Sequence, residues 1–278
     1  GEHYLAVAHY NDGYRRRSHY NTNSKIYRWN GASFVEFQSI PTSGARDWDT
    51  FEIGGEHYLA VAHQRDDSSN ALAYNINSKI YKWNGASFVE FQSIPTSGAS
   101  DWDSFEISGE HYLVVGNFND GSSLNINSKI YKWNGASFVE FQSIPTNGGI
   151  DWQPFEISGE HYLAVANYND RGSTPLHINS KIYKWNGASF VEFQSIPTIG
   201  AYDWESFEIG GEHYLVVVNH YDGSSYNINS KIYKWNGASF VELQSTSPPS
   251  AQRIGTTSRS AGSTTSRWRT ITTDLAAT

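Results

Sequence analysis

A twenty-residue phrase, NSKIYKWNGASFVEFQSIPT, occurs letter for letter at Asn77–Thr96, Asn127–Thr146 and Asn179–Thr198. A near copy with Arg28 in place of lysine lies at Asn23–Thr42, and a fifth copy, starting at Asn229, breaks off after Ser245. A second phrase, GEHYL, begins at Gly1, Gly55, Gly109, Gly159 and Gly211, at intervals of 54, 54, 50 and 52 residues. A chain that repeats itself at such a period builds one stack of like units instead of independent cores. Five units therefore span residues 1–245, leaving 246–278 outside the pattern.

Each interval holds four short runs rich in β-branched and aromatic residues, bounded by Gly, Asn, Asp and Ser. In the second unit they are GEHYLAVA (Gly55–Ala62), NSKIYKW (Asn77–Trp83), SFVEFQSI (Ser87–Ile94) and DWDSFEI (Asp101–Ile107). Helix-period patterns are hard to find, so the class is all-β. Four strands with their turns fill about 40–50 residues, the size of a propeller blade. Asn84-Gly85 predicts a type I′ turn between the second and third runs, and Gly54-Gly55 and Gly210-Gly211 punctuate the fourth and first. Alternation puts Leu59 and Val61 on one side of its strand and Tyr58, Ala60 and Ala62 on the other. Both sides are apolar, and small alanines let a neighbouring sheet approach closely. Strands sandwiched between blades have this pattern. The expectation is a β-propeller of four-stranded antiparallel blades, in preference to a solenoid.

These residues also carry a family resemblance. IYKWNGASF followed by Q-x-I-P-T, a DW-x-x-F pair and a GEHYLxVxN strand resembles the EAR, or EPTP (epitempin), repeat of the leucine-rich glioma-inactivated proteins and related extracellular receptors. The resemblance implies a propeller, usually seven-bladed, that serves in protein–protein recognition and is secreted or displayed at the cell surface. Five units stand here where the family has seven, and the first lacks a DW-x-x-F strand, so an incomplete or open ring is expected.

Charge and composition exclude several functions. The formal net charge is −8, and residues 246–278 hold four arginines against one acid, so the repeats are more acidic still. An acidic body repels phosphate backbones, which argues against nucleic acid. No cysteine is present, so disulfides and thiolate chemistry are excluded. No apolar run approaches the roughly 20 residues of a membrane span. The chain opens at Gly1 in mid-repeat, so any leader peptide would lie upstream of it. Phosphate-loop, G-x-S-x-G and H-E-x-x-H motifs are missing, and each repeated acid has several equivalents instead of forming one acid/base pair. The chain reads as non-enzymatic, with no required cofactor.

The tail has two readings. Composition alone makes residues 246–278 an irregular basic Ser/Thr/Arg-rich linker. The genetic code suggests a frameshifted sixth repeat. Gly262-Ser263-Thr264-Thr265-Ser266 can be encoded so that the adjacent frame reads Glu-His-Tyr-Leu, and the shifted reading extends across Thr246–Thr272 as LPTIGATDWDDFEIGGEHYLAVANYN.

Several repeated residues are candidates for chemistry. His3, His57, His111, His161 and His213 recur once per unit; a metal ring is conceivable, but pairing with the Asp-Trp aspartates inside the fold is the simpler expectation. Asp47, Asp101, Asp151 and Asp203 each precede a tryptophan, and on an innermost strand they would line a central channel. Clustered carboxylates there make Ca²⁺ the candidate cation; the competing reading is aspartates bonded to their own backbone turns. Trp29, Trp83, Trp133, Trp185 and Trp235 read as packing between blades, or as one sugar platform per blade.

Variation between units concentrates in two places. One is the loop after GEHYLAVA, which carries Asp12, Arg15, Arg16, Arg17, Asp66, Asp67, Asp120, Asp170, Arg171 and Asp222. The other is the short link before DW: SGAR, SGAS, NGGI and IGAY. Loops on a rigid scaffold are where binding resides. Unlike loops on a near-identical framework predict one composite recognition face for a protein partner, though idle loops left to drift show the same pattern. A glycan-binding lectin with repeated sites is the alternative, and it predicts near-identical loops.

Overall fold

A computed structural model describes residues 2–11, 19–67, 73–169 and 177–246, and the backbone of 268–272. The strands form five four-stranded sheets. The first holds β1 (Tyr4–Ala8), β2 (Asn21–Trp29) and β3 (Phe34–Ser43). The second is β4 (Ala45–Ile53), β5 (Glu56–His63), β6 (Asn75–Trp83) and β7 (Phe88–Ser97). The third is β8 (Ala99–Ile107), β9 (Glu110–Asn117), β10 (Asn125–Trp133) and β11 (Phe138–Asn147). The fourth is β12 (Gly149–Ile157), β13 (Glu160–Asn167), β14 (His177–Trp185) and β15 (Phe190–Ile199). The fifth is β16 (Ala201–Ile209), β17 (Glu212–Asn219), β18 (Ser230–Trp235) and β19 (Phe240–Thr246). In the stretch expected to be irregular, β20 (Trp268–Thr272) pairs in parallel with β1 and completes the first sheet. Among the described residues no helix is long and apolar enough to cross a membrane.

The chain divides into two compact units, Gly1–Ser104 with β20 and Phe105–Ile254, and passes from one to the other within β8. The all-β expectation and the four-stranded antiparallel blade both hold, since consecutive strands pair antiparallel throughout the second, fourth and fifth sheets. The repeat and the blade are out of phase. The DW strand joins the GEHYL strand that follows it, so β4 of the second sheet comes from the end of the first sequence unit.

The turn chemistry differs from expectation at one hairpin. Asn84-Gly85 does not form a two-residue type I′ turn; β6 and β7 are joined by the four residues Asn84–Ser87, and Gly85 has a positive φ of 95° while Asn84 does not. The asparagine side chain takes over instead, its Oδ1 accepting from Ala86 N and Ser87 N at 2.9 Å each. The two-residue turn with both central φ positive sits between β4 and β5, at Gly54 (59°) and Gly55 (81°). Ser108 and Ser158 occupy the equivalent first position with φ of 52° and 51°.

Faces then pack face to face within each unit. In the first, Tyr4, Ala6, Ala8, Ile26 and Ile40 of one sheet bury against Trp48, Leu59, Val61, Tyr81 and Phe88 of the next. In the second, Tyr162, Ala164, Ala166, Ile182 and Ile196 bury against Trp204, Leu215, Val217, Tyr233 and Phe240. The alternation of Leu59/Val61 against Tyr58/Ala60/Ala62 is thus a division between two interfaces. Trp83 and Trp235 pack at the margins of these cores, against Tyr4 at 5.8 Å and Tyr162 at 6.0 Å between ring centroids. Buried hydroxyl pairs, Ser78 with Thr96 at 2.9 Å and Ser180 with Thr198 at 2.9 Å, satisfy each other under the sheet.

A bulge aims one further residue at the neighbouring sheet. Ile182 faces Gln194 but Tyr183 faces Glu192, so Phe193 is the extra residue and the following glutamine is redirected. Gln194 Nε2 donates to Phe240 O at 2.7 Å, and its Oε1 accepts from Phe240 N at 2.9 Å. Gln142 clamps Phe190, and Gln38 clamps Phe88, with the same two bonds. Gln194→Ala removes both bonds and leaves two part-buried backbone groups of Phe240 to seek water. A loss of about 1–3 kcal/mol in urea unfolding is expected, without loss of the far-ultraviolet strand signal.

Candidate functional site: the loop end of the blades

The two variable segments converge at the same end of each sheet, because β5 runs into its loop where β4 begins. The link before β4 is a single residue, Gly44, with φ of 53°. A Cβ there would lie 3.1 Å from Arg65 N, so conformation and close approach both require glycine. Gly44 N donates to Tyr20 O at 2.6 Å, and Gly44 O accepts from Gln64 N at 3.1 Å, which ties the link to two loops. Gly200 repeats this, accepting from His220 N at 3.0 Å.

In the first unit this end is cationic and aromatic. Arg65 Cζ lies 5.8, 5.3 and 5.1 Å from the ring centroids of Tyr10, Tyr20 and Tyr74, and Arg46 Cζ lies 5.1 Å from Tyr10. Tyr10 Oη donates to Gln64 Oε1 at 2.7 Å, and Gln64 Nε2 donates to Ser100 Oγ at 3.3 Å. Burial pushes the Tyr10 phenol up to about 12, with both arginines pulling the other way.

In the second unit the corresponding positions are aromatic. Tyr202 and His220 rings lie 5.0 Å apart, His220 and Tyr226 5.2 Å, Tyr221 and Tyr226 4.5 Å, and Tyr168 and Tyr202 6.4 Å. Burial raises the Tyr168 phenol, and the neighbouring Tyr226, Tyr202 and Tyr221 add to the shift. These tyrosines were not among the residues singled out by sequence, although every one lies in a segment that varies between units.

The loop acids are occupied with holding the loops. Asp67 accepts from His19 Nδ1, Tyr20 N and Asn21 N at 3.1–3.2 Å, and Asp66 Oδ1 accepts from Asn21 Nδ2 at 2.7 Å. Asp120 Oδ1 accepts from Ser122 N and Ser123 N, and Asp222 Oδ1 from Ser224 N and Ser225 N, at 2.6–2.7 Å. Those bonds lower both carboxyls. Asp12, Arg15, Arg16, Arg17, Asp170 and Arg171 lie outside the described residues.

The Asp-Trp aspartates reach the next sheet as well as their own turn. Asp151 Oδ2 accepts from Trp204 N at 2.8 Å, across from β12 to β16. Asp47 makes the equivalent bond to Trp102 N and is in hydrogen-bond contact with the Asp101 carboxyl. Water reaches these side chains, but surrounding protein strips most of their hydration. Burial therefore pushes Asp47 up to about 6 and Asp49 up to about 7, the Asp47 charge adding to the second. Asp203 is partly buried in β16, opposite Val218.

The repeated histidines do not pair with these aspartates. His57 faces Glu52 across the β4–β5 hairpin, Nδ1 to Oε2 3.6 Å, and His111, His161 and His213 face Glu106, Glu156 and Glu208 at 3.8–3.9 Å. The short two-residue turn brings the FEI glutamate directly opposite, which the spacing of DW hides. Near His161 lies a groove of about 530 Å³, lined by Ile107, Glu160, His161, Lys184, Trp185 and Val191 among others.

A family model described as "EPTP domain" matches residues 33–84, 87–134, 137–186 and 189–236. The chain belongs to the EPTP family. Each matched stretch starts at an SFVEF strand and ends at the next Asn-Gly, so an EPTP repeat straddles two blades. The mouse "Thrombospondin-type laminin G domain and EAR repeat-containing protein" is 43% identical over 236 residues, covering 81% of this chain and 34% of that protein. "Leucine-rich repeat LGI family member 3" of Macaca fascicularis is 28% identical over 200 residues, 70% of this chain and 33% of that protein. The EPTP chain thus spans about a third of the length of the curated relatives it matches. Among solved structures, a functionally unknown protein from Desulfotomaculum acetoxidans DSM 771 shares the fold, with a TM-score of 0.53 at 12% identity over 83% of this chain and 65% of that one.

Histidine replaces a repeated asparagine at two positions, His9 and His63. Asn167 and Asn219 use both ends of the amide: Nδ2 donates to Asn179 O at 2.9 Å and Asn229 O at 2.8 Å, while Oδ1 accepts from Asn147 N and Ile199 N at 3.0 Å. His63 stands at that place in β5. Its Nδ1 contacts Asn77 O at 2.9 Å, but its Nε2 is buried without a partner. Burial holds the imidazole down at about 4, so folding keeps it neutral while the unfolded chain protonates from about pH 6.5. Stability from this group is complete above pH 6.5 and declines as pH falls towards 4. His63→Asn is expected to stabilise by about 1 kcal/mol at pH 7. The gap to the parent should widen by up to about 3 kcal/mol at pH 4, read from urea midpoints across the pH series.

Proposed function

We propose that this EPTP chain is a non-enzymatic recognition module, secreted or displayed at the cell surface, that holds a protein partner at the loop end of its blades. One observation carries the reading: the two segments that vary between near-identical repeats meet in space. Tyr10 meets Arg46, Gln64 meets Ser100, and Tyr202 meets Tyr168 and His220. Tyrosine and arginine are the residues that anchor protein interfaces, giving large contact area with a polar tip. The acids first considered as contacts, Asp66, Asp67, Asp120 and Asp222, serve here to shape the loops. Purified extracellular domains displayed on an array test this with the labelled chain. A binder should lose affinity at least about ten-fold with Tyr226→Ala or Arg65→Ala and keep it with Val191→Ala on the framework. Binding indifferent to the loop substitutions overturns the proposal.

A repeated glycan site is the second reading, favoured by the groove beside Trp185, whose lining recurs one repeat later as Ile157, Glu212, His213, Lys234, Trp235 and Val241. An aromatic platform with a carboxylate, an ammonium and an imidazole suits a pyranose ring. A glycan array decides between them: sugar binding abolished by Trp185→Ala and untouched by Tyr226→Ala favours the groove.

For the Asp-Trp aspartates we propose Ca²⁺, which takes hard carboxylate oxygens and replaces protons shared between them. The raised Asp47 and Asp49 carboxyls, which resist ionising beside one another, support this. Calcium chloride at pH 8 should raise the melting temperature relative to EDTA, and Asp49→Asn should shrink that rise; equal melting in both buffers removes the cation. The frameshift proposed for residues 246–278 is checked in the coding DNA beside the Ser245 codon.

A further inference from the structure

Asparagine followed by glycine occurs six times in the chain, at Asn30, Asn84, Asn134, Asn147, Asn186 and Asn236. As dipeptides the six are alike, but the fold divides them five to one. Asn30, Asn84, Asn134, Asn186 and Asn236 each open the exposed hairpin between a KIY strand and the SFVEF strand after it. In all five the side-chain Oδ1 accepts from two backbone N–H groups at 2.8–2.9 Å; for Asn186 these are Ala188 N and Ser189 N. The glycine that follows is exposed, at φ of 95–98°, and its N–H makes no hydrogen bond among the described residues.

Asn147-Gly148 is built the other way. Asn147 ends β11, and Gly148 is buried in the link to β12, where its N donates to Leu124 O at 2.6 Å. An added Cβ at Gly148 would lie 3.0 Å from Asn169 O, so the link is closely enclosed.

These differences bear on one reaction, the attack of a backbone nitrogen on the asparagine amide before it. Glycine has no Cβ to obstruct that attack, and an unbonded N–H is free to lose its proton. Oδ1 gathers negative charge as the nitrogen adds to Cγ, and backbone donors already aimed at it stabilise that charge. The five hairpins supply all three conditions. Gly148 has its N–H committed to a carbonyl.

We propose that the five hairpin asparagines are sites of spontaneous deamidation and that Asn147 is shielded from it. The glycine nitrogen bonds to Cγ, the bond from Cγ to the amide nitrogen breaks, and that nitrogen leaves as ammonia with the glycine proton. The succinimide so formed takes up one water at either carbonyl, giving aspartate or isoaspartate. Each event adds one negative charge. Asn186 and Gly187 line the groove beside Trp185, so conversion there sets a carboxylate in the same lining as Glu160. The charge of that groove then depends on the age of the molecule.

Peptide mapping of the full 278-residue chain, held at neutral pH in buffer and in guanidinium chloride, tests this. One tryptic peptide, residues 133–171, carries both Asn134 and Asn147, so fragmentation compares the two directly. In denaturant all six sites should convert at similar rates. In the folded chain Asn147 should fall about ten-fold behind the five, because the Gly148 bond must open before its nitrogen can react. Asn147 keeping pace with Asn134 in the folded chain, or the five falling back alongside Asn147, overturns the proposal.

Discussion

The structure depends on two unlike apolar faces on every sheet. A single four-stranded blade with both faces greasy gains nothing by folding alone; its burial comes only when a neighbour of opposite kind arrives. Alanine and tyrosine on one side of the GEHYL strand, leucine and valine on the other, make the two sides complementary. The buried tryptophans of the DW strands, about 1% exposed, lie where these faces close. Without this asymmetry the glutamine clamp and the aspartate latch would have nothing to hold.

Function follows from what this packing leaves over. With the faces that pack inside each unit and most of the framework consumed by neighbours, variation is tolerated at the ends of the strands. There the single-glycine link brings the start of one blade under the loop of another. Arg46 and Tyr10 are distant in the chain yet stack, and so are Tyr168 and Tyr202. A recognition surface assembled in this way draws on several blades at once, so its specificity need not reside in any one repeat.

Much of this was legible from residues. Period, strand count, the division of Leu59 and Val61 from Tyr58 and Ala60, and the sites of variation all follow from a sequence that repeats itself. Four details were hidden. Asn84 carries its turn through its side chain, which a dipeptide preference does not reveal. The histidine partners depend on turn length: a two-residue turn sets His57 opposite Glu52, where an aspartate seemed the natural mate. The tyrosine cluster is invisible because its members, Tyr168, Tyr202, Tyr221 and Tyr226, come from different repeats and occupy no common motif. Asp47 and Asp151 showed their repetition, but not that they bond the backbone of the next sheet.

The glutamine clamp grips a peptide group, not a side chain. Gln38, Gln142 and Gln194 each hold the amide and carbonyl of one phenylalanine, groups that every amino acid but proline supplies. A fastening of this sort is indifferent to most of what its neighbour encodes. Repeats joined by it are interchangeable, so a gene bearing them can gain, lose or shuffle copies by unequal recombination without redesigning a junction. The near identity of the units then becomes both the product of such copying and its means, since matching DNA is what misaligns most readily.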